Sequence, residues 1–586
     1  MRKWLVLFLL LWTVGLVSCT SPIPEEENPD IPNLPEEPDE PEEPEPPLPT
    51  AEERVEELLD SLTIEQKVGQ LFMVGMQGTA MDTSLRNAIN NYYFGNFIYF
   101  GYNVADDSLV ADLSEAIQEE VVTATGIPGL ISMDQEGGMV VRFAGEATHF
   151  IGNMGLAATA NSENAYWAGK FAGEELRHFG VNVNLAPVLD VNNNPDNPII
   201  GIRSYGDQAS TVSEYGLEMI AGLSASKVMA TAKHFPGHGD TTVDSHYGLP
   251  MIPHAMDRLN EVELAPFRAA IAQGVDAIMT AHIIFSALDS TLPATLSHAV
   301  VTGLLRNELE FDGIIMTDEM RMNAIRNNFG VEEAAVLALQ AGVDILLYAE
   351  SSSTSITAYQ GVLQAIADEV ISEERIDESV RRILLKKIKM GLMEEYLPKR
   401  NMTAADFAAH QAFNDSLIRA SITQAKGSID QFSQDNSTLF ISTLCTRYPL
   451  LPNATINTAT NSFAYVGKTY FQEKGMDAAY REIGTSLSSS QIQSLVQAAA
   501  NYEQIVIGVE NMSSSQAQLV TALLSNHPDL ILVAFKNPYD ITKVPTVNHY
   551  ICTYGYFAGS VHTLLQYLAD EVSISGVLPV AVTGLS

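Results

Sequence analysis

Cysteine is nearly absent from this chain of 586 residues: Cys19, Cys445 and Cys552 are the only three. Three thiols cannot build a disulfide framework and are too few for a cysteine-based zinc site. Bases are also scarce, 32 Lys plus Arg against 72 Asp plus Glu, leaving a formal charge of −40. Phosphate backbones are bound by clustered cations, so this balance argues against a nucleic-acid partner. What the chain has in quantity is apolar mass. At 46% hydrophobic and 18% charged it can bury sizeable cores, and its length suggests two or three domains.

The charge is uneven. Residues 21–50 hold 11 acidic residues, 11 prolines and no base. Such a stretch cannot bury apolar surface and its like charges repel, so residues 19–50 are expected to be an extended, disordered tether. Before it, Arg2 and Lys3 precede an apolar run from Trp4 to Val17, too short for a retained span and shaped like a secretory signal. The run ends in Leu16-Val17-Ser18-Cys19, which resembles a bacterial lipobox. Cleavage after residue 18 would leave Cys19 to carry a lipid. The expectation is an extracytoplasmic protein, periplasmic or at the cell surface, held to a bacterial membrane by that lipid; an ordinary signal peptide is the alternative.

From residue 51 the pattern is α/β. Thr63-Ile64-Glu65-Gln66 reads as a capping box opening a helix. Eight short apolar runs then alternate with helical stretches: Gln70–Met76, Asn96–Gly101, Gly129–Gln135, Val181–Pro187, Val228–Gly237, Asp276–Ile283, Gly313–Met320 and Asp344–Glu350. Most are followed by room for a crossover helix, as parallel strands require. Eight such units predict a (β/α)8 TIM barrel over residues 51–395, with a doubly wound sheet as the alternative. Asp134, Lys233 and His234, His282, Asp318 and Glu350 end five of the runs, at the rim where barrel active sites are built.

A helix is predicted from about Ser372 to Leu392, with Ile376, Val380, Ile383, Leu384 and Ile388 on one face. Residues 396–420 read as a linker. Residues 421–586 then show a second, smaller α/β sandwich pattern, with strand-like segments at Thr438–Thr443, Phe463–Gly467, Ile505–Val509, Leu530–Lys536, His549–Thr553 and Val577–Val582. This region has no comparable cluster of His and Asp, and is expected to be structural or to touch substrate.

Chemistry-bearing residues concentrate in two places. The first is Lys233-His234-Phe235-Pro236-Gly237-His238-Gly239-Asp240-Thr241-Thr242-Val243-Asp244-Ser245-His246, a strand running into a Gly-rich loop. Gly237 and Gly239 would let that loop move. Asp244 and His246 stand two apart, and in an extended segment their side chains share a side. A carboxylate beside an imidazole fixes its tautomer and makes an acid/base that works near neutral pH. A solvated polar loop is the plain alternative. A metal reading of His234, His238, Asp240, Asp244 and His246 fits no familiar ligand spacing, so neither a metal nor a cofactor is expected. The second place is the strand-like run that delivers Asp318, with Glu319 adjacent; alone it reads equally as a helix-capping Asp. A carboxylate opposite an acid/base suits glycoside cleavage.

These segments resemble glycoside hydrolase family 3, in its bacterial β-N-acetylglucosaminidase branch. The similarity is carried by Lys233 to His246, by Asp134-Gln135-Glu136-Gly137-Gly138, by Ile278-Met279-Thr280-Ala281-His282, and by Leu185-Ala186-Pro187-Val188-Leu189-Asp190-Val191 continuing to Arg203-Ser204-Tyr205-Gly206. Gly576-Val577-Leu578-Pro579-Val580 is similar to part of the family's second domain. The resemblance implies Asp318 as nucleophile and His246, oriented by Asp244, as acid/base. It implies Asp134, Arg142, Arg203, Lys233 and His234 as binders of the N-acetylglucosamine ring. One departure stands out: Met139 occupies a position where the family commonly has Arg.

The implied activity is a retaining exo-β-N-acetylglucosaminidase acting on peptidoglycan fragments or chitin-type oligosaccharides, as a monomer. Two alternatives stay open: a phosphorylase that uses phosphate in place of water, and a non-catalytic glycan-binding lipoprotein. A β-glucosidase is a weaker fit, because such relatives usually take a Glu acid/base from elsewhere.

Overall fold

The computed structural model describes residues 49–586 except 144, 431, 452–454, 459 and 586. The signal-like segment, Cys19 and most of the Pro/Glu stretch lie outside the described residues. Eight strands close into a barrel: β1 Phe72–Val74, β2 Asn96–Tyr99, β3 Leu130–Met133, β4 Val183–Asn184, β5 Met229–Phe235, β6 Ala277–Thr280, β7 Ile314–Glu319 and β8 Ile345–Tyr348. Each pairs in parallel with its neighbours in chain order, and β8 closes on β1 through Phe72 beside Leu346 and Val74 beside Tyr348. The strands are short and buried, which is why they read as unbroken apolar runs rather than alternating ones. All eight fall inside the predicted runs, so the barrel and not the doubly wound sheet is the fold.

Local signals place the helices around it. Thr63 caps helix Ile64–Gln70 with the reciprocal bonds of a capping box: its Oγ1 accepts from the Gln66 N–H, and Gln66 Oε1 accepts from the Thr63 N–H. The helix predicted near Ser372 spans Glu373–Lys389, is capped by Ser372, and buries Ile376, Val380, Ile383, Leu384 and Ile388 against the barrel's base. Within the interval read as a linker, Ala404–Ser421 forms a packed helix. Its His410 Nδ1 lies 2.9 Å from Glu175 Oε1, and its Asn414 Nδ2 donates to the His149 carbonyl at 2.7 Å. The connection to the second domain is therefore braced against the barrel.

The second domain carries a six-stranded sheet of β9 Thr423–Lys426, β10 Thr438–Ser442, β11 Ala478–Glu482, β12 Gln504–Val509, β13 Ile531–Ala534 and β14 His549–Cys552, in the order β9-β14-β13-β12-β10-β11. Only β9 runs antiparallel to its neighbour. Two predicted strands are corrected here. Phe463–Gly467 opens helix Phe463–Glu473: Ser462 accepts from the Tyr465 N–H, and Phe463, Ala464, Val466, Gly467 and Phe471 are buried at helical spacing. Val577–Val582 is not a strand. It lies between the two domains, with the Val577 N–H donating to the Ala158 carbonyl at 2.9 Å and the Ala581 N–H to Asp207 Oδ2 at 2.7 Å. Cys445 and Cys552 are buried free thiols. Among the described residues no helix is long and apolar enough to cross a membrane.

Candidate active site

At the C-terminal ends of the barrel strands a cavity of about 440 Å³ is lined by Asp134, Glu136, Arg142, Arg203, Lys233, His234, His246 and Asp318. All but Glu136 are residues the sequence singled out. They arrive from four rim positions: Asp134, Glu136 and Arg142 after β3, Arg203 on the excursion after β4, Lys233, His234 and His246 at the end of β5 and on its loop, and Asp318 on β7.

One wall is an ionic lattice. Buried Lys233 places Nζ 2.8 Å from Asp134 Oδ1 and 2.7 Å from Glu136 Oε1. Arg142 donates to Asp134 Oδ2 at 2.6 Å, and Arg203 grips Glu136 through Nε and Nη2 at 2.9 and 2.8 Å. Burial opposes ionisation of both carboxyls, but Lys233 with Arg142 holds Asp134, and Arg203 with Lys233 holds Glu136, well below the usual carboxylate range. Every donor in this lattice is oriented before a ligand arrives.

The carboxylate of Asp318 is placed differently. Its Oδ1 accepts from the Glu319 N–H at 2.7 Å, and no cation forms an ion pair with it among the described residues. Burial would raise its pKa, yet the fields of His234 and His282 outweigh that and keep it low. His234 is held by buried Asp190, with Nδ1 2.7 Å from Oδ2. His282 lies beneath, with Nδ1 2.8 Å from Thr295 Oγ1 and Nε2 donating to the Glu319 carbonyl at 3.0 Å. The result is an anionic, unpaired carboxylate at the cavity wall.

The loop bearing Asp244 and His246 is anchored at its base. The His238 N–H donates to Asp190 Oδ1 at 2.6 Å, and Asn197 Nδ2 donates to the carbonyls of His238 and Gly239 at 2.8 Å. The buried His238 ring spans to Thr241 and Ser245, each at 3.0 Å. Gly239 allows a close approach: a β-carbon there would sit 1.7 Å from the Val191 carbonyl oxygen. Toward the tip the chain opens to solvent, with Tyr247 79% exposed. Asp244–His246 is a turn, not the extended segment expected. Asp244 Oδ1 accepts from the His246 N–H at 2.9 Å and pairs with its Nδ1 at 2.7 Å, so the local turn achieves the same juxtaposition.

A model of the glycosyl hydrolase family 3 N-terminal domain matches residues 63–385. The chain belongs to glycosyl hydrolase family 3. This family 3 chain is 36% identical over 371 residues to a beta-hexosaminidase A of Pseudoalteromonas piscicida, an alignment covering 59% of this chain and 62% of that protein. It is 27% identical over 560 residues to a beta-N-acetylglucosaminidase/beta-glucosidase of Cellulomonas fimi, covering 90% and 95%. Among solved structures, a glycoside hydrolase family 3 beta-N-acetylglucosaminidase from Paenibacillus sp. str. FPU-7 superposes with a TM-score of 0.80 at 37% identity, over 89% of this chain and 99% of that one. The protein is a glycoside hydrolase.

Two acids escaped sequence reasoning as site residues, although both stand in segments already singled out: Glu136 in the cavity wall, two positions after Asp134, and Asp190, which does not line the cavity but is buried and holds His234. An acid closing a buried run was the available signal. Of the five residues in the metal reading, only Asp240 stands in a group of three potential ligands among the described residues, with His254 and Glu263; His234, His238, Asp244 and His246 do not converge in one. The second domain also enters the cavity, through Arg447, Asn511, Lys536 and Asn537.

Proposed function

We propose that the protein is a retaining exo-β-N-acetylglucosaminidase that removes terminal N-acetylglucosamine from peptidoglycan fragments or chitin-type oligosaccharides. The observation that carries this reading is that Asp318, unpaired and anionic, and His246, braced by Asp244, line one cavity. Asp318 attacks the anomeric carbon while the bond to the leaving oxygen breaks. His246 gives its Nε2 proton to that oxygen, and Asp244 stabilises the imidazolium that precedes transfer. In the second step His246 takes a proton from water as the water attacks the glycosyl-aspartate, releasing the sugar with its configuration kept. Asp134, Arg142, Arg203, Lys233 and His234 bind and orient the ring by charge-assisted hydrogen bonds. The names of the hexosaminidase relatives support the sugar chosen.

The test is hydrolysis of an aryl β-N-acetylglucosaminide by the wild type and by Asp318→Asn. Wild-type turnover, loss of at least about 10³-fold in the variant, and a β-configured first product by NMR are expected. Equal rates, or an α-configured first product, would overturn the reading. We further propose that Cys19 carries a lipid that holds the protein, as a monomer, at an extracytoplasmic membrane face. Mass analysis of the mature N-terminus tests this, with an unmodified Cys19 or an uncleaved leader counting against it.

A further inference from the structure

Within a chain of net charge −40, the catalytic cavity is lined by five Lys and Arg residues against four Asp and Glu. Three of those cations are committed: Arg142, Arg203 and Lys233 neutralise Asp134 and Glu136. The other two, Arg447 and Lys536, belong to the second domain. Arg447 Nη1 donates to the Met139 carbonyl at 3.3 Å, and neither residue has a carboxylate at ion-pair distance among the described residues. Lys536 is partly buried and makes no hydrogen bond there. Burial pushes its pKa down, nearby Glu510 works against that, and Arg447 adds to it. The side-chain amides of Asn511 and Asn537 line the same wall.

Two uncommitted cations lining one cavity are costly to hold together, and a neutral hydroxyl does not require both. A group with paired oxygens and a negative charge does, since a guanidinium and an ammonium can divide its lone pairs between them. We propose that Arg447 and Lys536 form an oxyanion site adjoining the reacting pair, so that the second domain selects the charge of what sits next to the scissile bond. The oxyanion is either a carboxylate borne by the leaving group or free phosphate. The inference rests on the N-acetylglucosaminidase reading above.

The full chain is tested with two aryl β-N-acetylglucosaminides that differ only in a carboxylate or a carboxamide on the ring. Wild type is expected to favour the carboxylate by about tenfold in kcat/KM, the scale of a charge-assisted hydrogen bond. Arg447→Gln and Lys536→Gln should each collapse that ratio toward one, mainly through KM, while Arg447→Lys keeps part of it. In a second arm inorganic phosphate is titrated against the carboxamide substrate, with N-acetylglucosamine 1-phosphate and free sugar quantified. A saturable phosphate effect lost in the Gln variants assigns the site to free phosphate, whereas the carboxylate ratio assigns it to the leaving group. A wild-type ratio of one together with no phosphate effect overturns the oxyanion site, as does an equal loss on both substrates in the variants. If the carboxamide substrate is still hydrolysed in that case, only the oxyanion site falls. If no N-acetylglucosaminide is cleaved, the functional reading falls with it.

Discussion

Asp244 holds His246 twice, by its backbone N–H at 2.9 Å and by Nδ1 at 2.7 Å, while the ring's Nε2 makes no hydrogen bond among the described residues. An exposed turn thereby presents one nitrogen of a pre-oriented imidazole, although the side chain as a whole is 54% exposed. Orientation here comes from a three-residue motif and not from burial.

His246→Ala should lower kcat by about 10²–10⁴ on substrates whose leaving group needs a proton. The loss should shrink sharply on aryl glycosides of strongly acidic phenols, because those leave without protonation. Asp244→Asn should follow the same leaving-group dependence with a smaller loss. Rates across a series of aryl N-acetylglucosaminides check both, and a loss independent of phenol acidity would remove His246 from the acid role.

Gly239→Ala tests the loop's anchorage. Its β-carbon would meet the Val191 carbonyl, so the backbone of the loop must shift. The expected outcome is a fall in kcat larger than the fall in melting temperature implies, since the displaced segment carries Asp244 and His246 while the barrel core is untouched. Steady-state kinetics beside thermal unfolding measure the two separately.

Glu136→Gln removes the partner that Arg203 grips bidentately and one of the two carboxylates on Lys233. Breaking such a buried set leaves cations uncompensated, at a cost of about 3 kcal/mol. Urea unfolding should report that loss. KM should rise as well, because Arg203 and Lys233 no longer hold their positions.

Lys387 gives the fold a pH dependence remote from the cavity. It is fully buried among Gln70 and the Gly95 carbonyl, with no carboxylate partner among the described residues, and burial lowers its pKa to about 7. That lies below the value of about 10.4 for an unfolded lysine, so the unfolded chain binds the proton more tightly across this window. Lys387 therefore costs stability most fully below pH 7, and the cost fades as pH rises from about 7 toward 10. Lys387→Met should be more stable than wild type at pH 6, with the advantage narrowing at pH 9. Thermal unfolding at the two pH values checks the sign.

The barrel was legible because its strands are buried on both faces, so apolar runs and strands coincide. The second domain was less so, for a physical reason visible in its sheet. The two strands not anticipated, β9 and β11, are its two edges. Thr-Gln-Ala-Lys and Ala-Ala-Tyr-Arg-Glu are only partly buried and carry no apolar run. Phe463–Gly467 failed in the opposite sense: a short apolar run looks alike in a strand and in a buried helix, and the capping Ser462 was the distinguishing mark. Nine of the ten rim and loop residues highest in the sequence argument, from Asp134 to Asp318, do meet in or under one cavity. Glu350 does not; it pairs with Arg321 at 2.9 Å. Arg447 and Lys536 were beyond reach, because nothing local in the chain announces that a second domain leans over the first. Arg447 reaches the cavity at Met139, the position where the family resemblance breaks.

Residues 576–582 lie far along the chain yet hydrogen-bond to Ala158 and Asp207 in the barrel. On the ribosome or on the far side of a membrane, domains fold in the order in which the chain emerges. A nascent chain would therefore carry a closed barrel and a complete ionic lattice well before Arg447, Lys536 and this strap could be added. The molecule would pass through an interval in which the sugar's own pocket exists but the neighbouring wall does not, and its discrimination among substrates would be acquired last.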